Sequence, residues 1–169
     1  MRARRRRDAL GQKISDLNPS EQQWVASNNE LAGEIAKAYG LAVEPGDRLD
    51  PQTLDTAWAA WLADHARGEE DPNPYINAFG CAFGAYLVER LGLEWRVVED
   101  KHGTEMAVWG REGDVLVFPP NLVGKRYVEG TTTFFADVTA KTEESVTRIR
   151  AQVGDSKPSG LGRFFRGNR

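Results

Sequence analysis

The hydrophobic period of this chain changes abruptly at Gly92. Upstream, Ile76, Phe79, Gly80, Phe83, Gly84, Leu87, Val88 and Leu91 recur at steps of three and four, which predicts a helix from about Pro74 to Leu91. Downstream, Leu93, Trp95 and Val97 alternate with Glu94, Arg96 and Val98, the period of a strand. Turn residues then recur at short intervals. Asp100-Lys101-His102-Gly103 separates this strand from Thr104–Trp109, and Gly110-Arg111-Glu112-Gly113 separates that one from Asp114–Phe118. Loops this short permit only antiparallel neighbours. Two glycines inside the helix, each costing about 1 kcal/mol relative to alanine, predict close approach of another element at Gly80 and Gly84.

Two helices are expected before this unit. Ser20 with Gln23 reads as a capping box for the first, and Trp24, Leu31, Ile35 and Tyr39 share one face up to a stop at Gly40. Asp50 and Pro51 open the second, whose apolar face is Leu54, Trp58, Trp61, Leu62 and His65. After the meander, Pro119 and Pro120 stop the third strand and residues 121–129 read as a short helix. Residues 131–153 read as a final helix carrying Phe135, Val138, Val146, Ile149 and Val153. The predicted fold is therefore α+β: helices on one face of a three-stranded antiparallel β-meander, with an N-terminal helical pair completing the core.

Charge divides the chain further. The net charge is −3, but residues 1–13 carry six Lys/Arg against one acid, and 154–169 carry four against one. The body between them, 14–153, holds 12 basic and 23 acidic residues. This predicts one α+β domain over 14–153, flanked by a basic disordered tail at 1–13 and a basic flexible tail at 154–169. So acidic a body repels phosphate, which argues against nucleic-acid binding by the folded part. Asp8, Gly11 and Gln12 stand where a secretory signal would need an apolar core, and no apolar run is long enough to span a bilayer. With a single cysteine, Cys81, the expected setting is cytoplasmic.

Catalytic constellations are missing from the pattern. The chain has two histidines. His65 falls on a core-facing stripe, and His102 falls in a tight turn beside Asp100. Cys81 sits among Phe79, Ala82 and Phe83, the setting of a small hydrophobe rather than a nucleophile. No nucleophile elbow and no phosphate loop occurs. No catalytic residue, metal ligand set or cofactor is expected. Candidate binding residues are Trp95 and Trp109 on adjacent strands, Asp100, His102 and Glu105 around the first turn, and Lys125 and Arg126 after the Pro-Pro pair. Arg4, Arg5, Arg6 and Arg7 at one end, and Arg163, Phe164, Phe165 and Arg166 at the other, are candidates for contact with anionic lipid, nucleic acid or an acidic protein.

Phe83-Gly84, Trp95-Arg96-Val97-Val98, Asp100 with Gly103, and Val117-Phe118-Pro119 on to Lys125-Arg126 resemble a family of short bacterial domains of unknown function noted for a Phe-Gly-Glu signature on its helix. The resemblance covers roughly residues 74–130. It implies the helix-then-meander unit and a bacterial setting, and it implies no activity. The signature's acid is Ala85 in this chain.

The functional expectation is a non-enzymatic protein-interaction module, whether adaptor, chaperone-like or immunity-type, whose partner is another protein. The alternative is a small-ligand binder or enzyme with a polar pocket at the sheet end, which requires His102, Asp100, Glu105 and Lys125 to converge.

Overall fold

The computed structural model describes residues 6–7, 12–65, 68, 70–112 and 115–155. Its elements are β1 (Arg6–Arg7), β2 (Lys13–Ser15), α1 (Pro19–Ala38), α2 (Pro51–His65), α3 (Asn73–Leu91), β3 (Glu94–Asp100), β4 (Gly103–Gly110), β5 (Val115–Val117), α4 (Pro119–Glu129) and α5 (Phe135–Asp155). Among the described residues, no helix is long and apolar enough to cross a membrane.

α3 is the axis of the packing. Ten of its residues are buried, including Phe79, Cys81, Phe83 and Leu87, so it is enclosed on nearly every side. α1, α2, α4 and α5 all pack against it, as do β3 and β4. Its two interior glycines have separate partners. A Cβ on Gly80 would lie 2.5 Å from Pro120 Cα, and one on Gly84 would lie 2.2 Å from Trp95 Cζ2. Gly80 thus admits the start of α4, and Gly84 admits β3. At its end, Gly92 takes a left-handed conformation, φ 64°, and turns the chain into β3.

The sheet is antiparallel in the order β1-β2-β3-β4-β5. The predicted meander forms its β3-β4-β5 part, with Trp95 opposite Val108, Val98 opposite Glu105, and Val108 opposite Val117. The expectation of three strands is corrected: β2 joins the free edge of β3, pairing Ile14 with Val98, and the two-residue β1 pairs with β2. An open edge offers unpaired N–H and C=O groups to any extended neighbour, and burial of Ile14 to 7% exposure adds apolar contact. Arg6, Arg7 and Lys13 therefore lie in strands.

Several helix boundaries also move. Asn18, not Ser20, caps α1: the Glu21 amide donates to Asn18 Oδ1 at 2.9 Å, and Glu21 Oε2 accepts from the Asn18 amide at 2.7 Å. Pro19 then supplies a preset first residue with no amide to satisfy. The buried face of α1 is Val25, Ala32, Ile35 and Ala36, while Leu31 is 40% exposed. Small residues carry the face because α1 packs on the Gly- and Ala-rich α3. Asp50 caps α2 as expected, accepting from the Thr53 amide at 2.9 Å. Pro119 and Pro120 do end β5, and they also form the first turn of α4. α5 starts at Phe135 rather than Thr131, because the segment before it is held to α2. Trp58 Nε1 donates to the Thr131 carbonyl at 2.8 Å, and the Asp55 carboxylate accepts from the amides of Phe134, Phe135 and Ala136 at 2.6, 2.8 and 3.0 Å.

The core behind the sheet is aromatic. Trp58 meets Phe79 and Phe134 edge-on, with ring centroids 5.3 and 6.1 Å apart, and Phe83 meets Phe135 at 5.3 Å. A second cluster, Ile14, Val98, Ala107 and Trp109, lies on the opposite face of the sheet.

Candidate binding groove

An open groove of about 990 Å³ lies between α1, the α1–α2 loop, the C-terminal half of α3 and the start of β3. Three features of local structure build it. Along α1, Gln22, Ala26, Asn29 and Gly33 recur at helical spacing and present a shallow, small-residue wall. Facing them, Glu44–Asp47 forms a turn. The Asp47 amide donates to the Glu44 carbonyl at 3.0 Å, the Glu44 amide donates to Asp47 Oδ2 at 2.9 Å, and Gly46 adopts φ 87°. Val43 leans this loop on α1 at Gly33. The floor is Val25, Ala85, Val88 and Trp95.

Electrostatically the rim is acidic. Asp16, Glu30, Glu34, Glu44 and Asp47 supply five carboxylates, against Lys37, Arg48 and Arg96. Each of those cations already has an acidic partner. Lys37 pairs with Glu34 at 3.0 Å, Arg48 with Glu89 at 3.0 Å, and Arg96 with Asp16 at 3.2 Å and also with Glu94. Among the described residues these pairs leave Glu30, Glu44 and Asp47 without a cation. Arg96 closes one end of the groove, its guanidinium 5.5 Å from the centroid of the Trp109 ring.

The candidate residues read from the sequence are dispersed over the structure. Trp95 is in the groove floor, half-buried over Gly84. Trp109 is on the other face of the sheet, 6% exposed and remote from the Tyr127 cluster, which packs on Trp58 and Trp61. Asp100 and His102 lie in the exposed β3–β4 turn, where the His102 amide donates to Asp100 Oδ1 at 2.7 Å. That bond, first among its causes, holds the Asp100 carboxyl below its ordinary range. Glu105 stands on β4 opposite Val98. Lys125 lines a separate shallow hollow of about 560 Å³ with Asn73, Asn121, Val128 and Glu129, and none of Asp100, His102 or Glu105 lines it. Arg126 pairs with Glu129 at 2.6 Å and lies 6.0 Å from the Phe134 ring centroid. The side chains of Arg4, Arg5, Arg6, Arg7, Arg163, Phe164, Phe165 and Arg166 lie outside the described residues.

The remaining reactive groups are held in structural roles. Cys81 is fully buried, and desolvation pushes its thiol up to about 12. His65 stacks on Trp61 at 5.3 Å, with Nδ1 3.0 Å from the Trp61 carbonyl and Nε2 3.2 Å from Glu70. Among the described residues, no group of three or more His, Cys, Asp or Glu side chains is placed to hold a metal ion.

Sequence reasoning missed most of the groove. The signal it had was the run Gln22, Ala26, Asn29, Gly33, small and polar residues at helical spacing on a helix whose other face is apolar. Ala85, where the resembled signature carries an acid, also lies in the floor.

Helices gathered on one face of an antiparallel meander, with an open groove where α1 leaves the sheet, define an α+β protein of cleft-bearing type. The chain belongs to the family described as a domain of unknown function, DUF3806, whose profile matches residues 53–137 and so reaches further in both directions than the motif stretch 74–130. Among curated proteins, none matches the chain. A crystal structure from Bacteroides thetaiotaomicron VPI-5482 shares the fold, with a TM-score of 0.61 and 12% identity, over 81% of this chain and 48% of the other. The chain therefore spans about half the length of that solved protein.

Proposed function

We propose that the protein is a non-enzymatic protein-interaction module that takes a basic peptide segment with apolar anchors into the groove between α1 and β3. The observation that carries this reading is the combination of a Val25–Ala85–Val88–Trp95 floor with a rim of five carboxylates, three of them without a described cation. An apolar floor supplies affinity by burial, and an acidic rim selects charge and speeds encounter. Trp95 is a suitable anchor, because aromatic side chains in partly enclosed sites dominate binding energies. The acidic body, 12 basic against 23 acidic residues over 14–153, reinforces the same selection.

The test is a titration of the full chain, followed by amide NMR, with two peptides of equal length: one alternating Arg with Phe and Leu, the other with each Arg replaced by Glu. Saturable shifts at Val25, Asn29, Val88 and Trp95 with the basic peptide only, weakened about tenfold or more by Glu30→Arg with Asp47→Arg, are expected; tenfold is the effect of about 1.4 kcal/mol. Equal response to both peptides, or shifts elsewhere, would reject the groove as the binding surface.

A further inference from the structure

We infer that the chain carries an occupant for this groove in its own residues 156–169, so that the site is self-covered and a partner binds by displacing that segment. The inference rests on the binding reading above and adds regulation to it.

Three observations lead here. The first is chemical. Residues 156–169 contain Lys157, Arg163, Arg166 and Arg169 and no acid, with Leu161, Phe164 and Phe165 between them. This is the basic, apolar-anchored chemistry that the rim and floor select. The second is position. The C-terminal part of α5 is fastened beside the end of α3, where Arg150 Nη2 donates to the Leu91 carbonyl at 2.6 Å and Nε lies 3.6 Å from Glu112. Leu91 is one helical turn beyond Val88, which lines the groove. Fourteen residues reach at most about 46–50 Å, while the α1 wall from Gln22 to Lys37 is about 22 Å long. The segment is therefore long enough to run the length of that wall.

The third observation removes a rival site. The apolar residues on the far side of the sheet, Val98 and Ala107, are 2% and 0% exposed, so that face has little area left to bury. The groove stands open, with an apolar floor and, among the described residues, three rim carboxylates without a cation. A tethered segment also competes at high effective concentration, so modest intrinsic affinity is enough to occupy the site.

The experiment places a nitroxide on the full chain through Asn168→Cys; Cys81, fully buried, stays unlabelled. The expected result is selective broadening of the amides of Val25, Asn29, Val88 and Trp95, reduced in high salt and abolished by Phe164→Ser with Phe165→Ser. In that double variant the basic peptide binds in trans about tenfold more tightly, its competitor being gone. Broadening spread evenly, confined to Glu112 and Arg150, or unchanged by the Phe variants would overturn the inference. So would broadening seen only when spin-labelled chain is mixed with isotope-labelled chain, which would place the segment on a second copy. If the peptide binds the groove while the nitroxide does not approach it, self-covering fails and the binding reading stands. If the peptide does not bind even the Phe variant, both fail.

Discussion

Asp55 and Phe135 are 80 residues apart, yet the Asp55 carboxylate accepts the Phe135 amide at 2.8 Å and closes the N-terminus of α5. The neighbouring amides of Phe134 and Ala136 donate to the same carboxylate. One side chain on α2 thus satisfies three of the amides that a helix start leaves without partners, and places negative charge at the positive end of its dipole.

Asp55→Ala removes this cap and strands part-buried donors. A destabilisation of about 2–4 kcal/mol is expected, with about half that for Asp55→Asn, which keeps an acceptor but loses charge. Urea unfolding measures both. A change below about 0.5 kcal/mol in the alanine variant would show the cap to be incidental.

Gly84→Ala sets two effects against each other. Helix propensity favours alanine by about 1 kcal/mol. The added methyl, however, collides with the Trp95 ring, and overpacking costs about 1–3 kcal/mol. Trp95 is wedged between β3 and α3, so overpacking wins and the variant melts lower by a few degrees. Combining it with Trp95→Leu should recover part of the loss, and a strictly additive double variant would refute the clash.

Acid should weaken the β3–β4 turn. The Asp100 carboxyl titrates below its ordinary 3.8 when folded, chiefly because the His102 amide donates to it. A lowered folded value means the contribution is present above the ordinary value and is lost as pH falls through the folded one. Asp100→Ala should therefore lower the melting temperature at pH 7, and the difference should shrink progressively as the pH falls below 3.8. A carboxyl-carbon NMR titration that found the ordinary value or a higher one would contradict this.

Alkylation of Cys81 should follow unfolding rather than pH. With the thiol buried and pushed up to about 12, native protein at pH 8 is expected to resist iodoacetamide and to react only as fast as it opens. Rapid modification without denaturant would show that α3 is less enclosed than its packing indicates.

The elements legible in sequence were those whose signal is local. Gly80 and Gly84 announced close approach, and both an incoming helix and an incoming strand are found there. The 3.6-to-2 change at Gly92 marked the start of the meander. The strands before α1 were illegible because a run of arginines has no alternating apolar pattern, and among the described side chains of these strands Ile14 is the buried one. The buried face of α1 was misjudged for a related reason: large residues such as Leu31 drew attention, while Ala32 and Ala36 make the close contact. Trp95 was singled out, but the groove around it was not. Its wall, floor and rim come from segments as distant as Asp16 and Arg96, which only the packing of α1 against α3 brings together. Asp55 gave no hint of its role, since its partners lie beyond the meander.

The span shared with the family, residues 53–137, begins two residues before Asp55 and ends two after Phe135. Its limits coincide with the two halves of one capping interaction, so the common unit is a loop of chain fastened at its own ends. In the groove, Ala85, Val88, Trp95 and Arg96 belong to that unit, while Asp16, α1 and the Glu44–Asp47 turn lie outside it. One side of the cleft therefore lies within the span the family shares, and the other outside it. The outer side is nonetheless built into the fold: α1 packs along α3, and its Ala32, Ile35 and Ala36 enter the same core as Phe79 and Phe83.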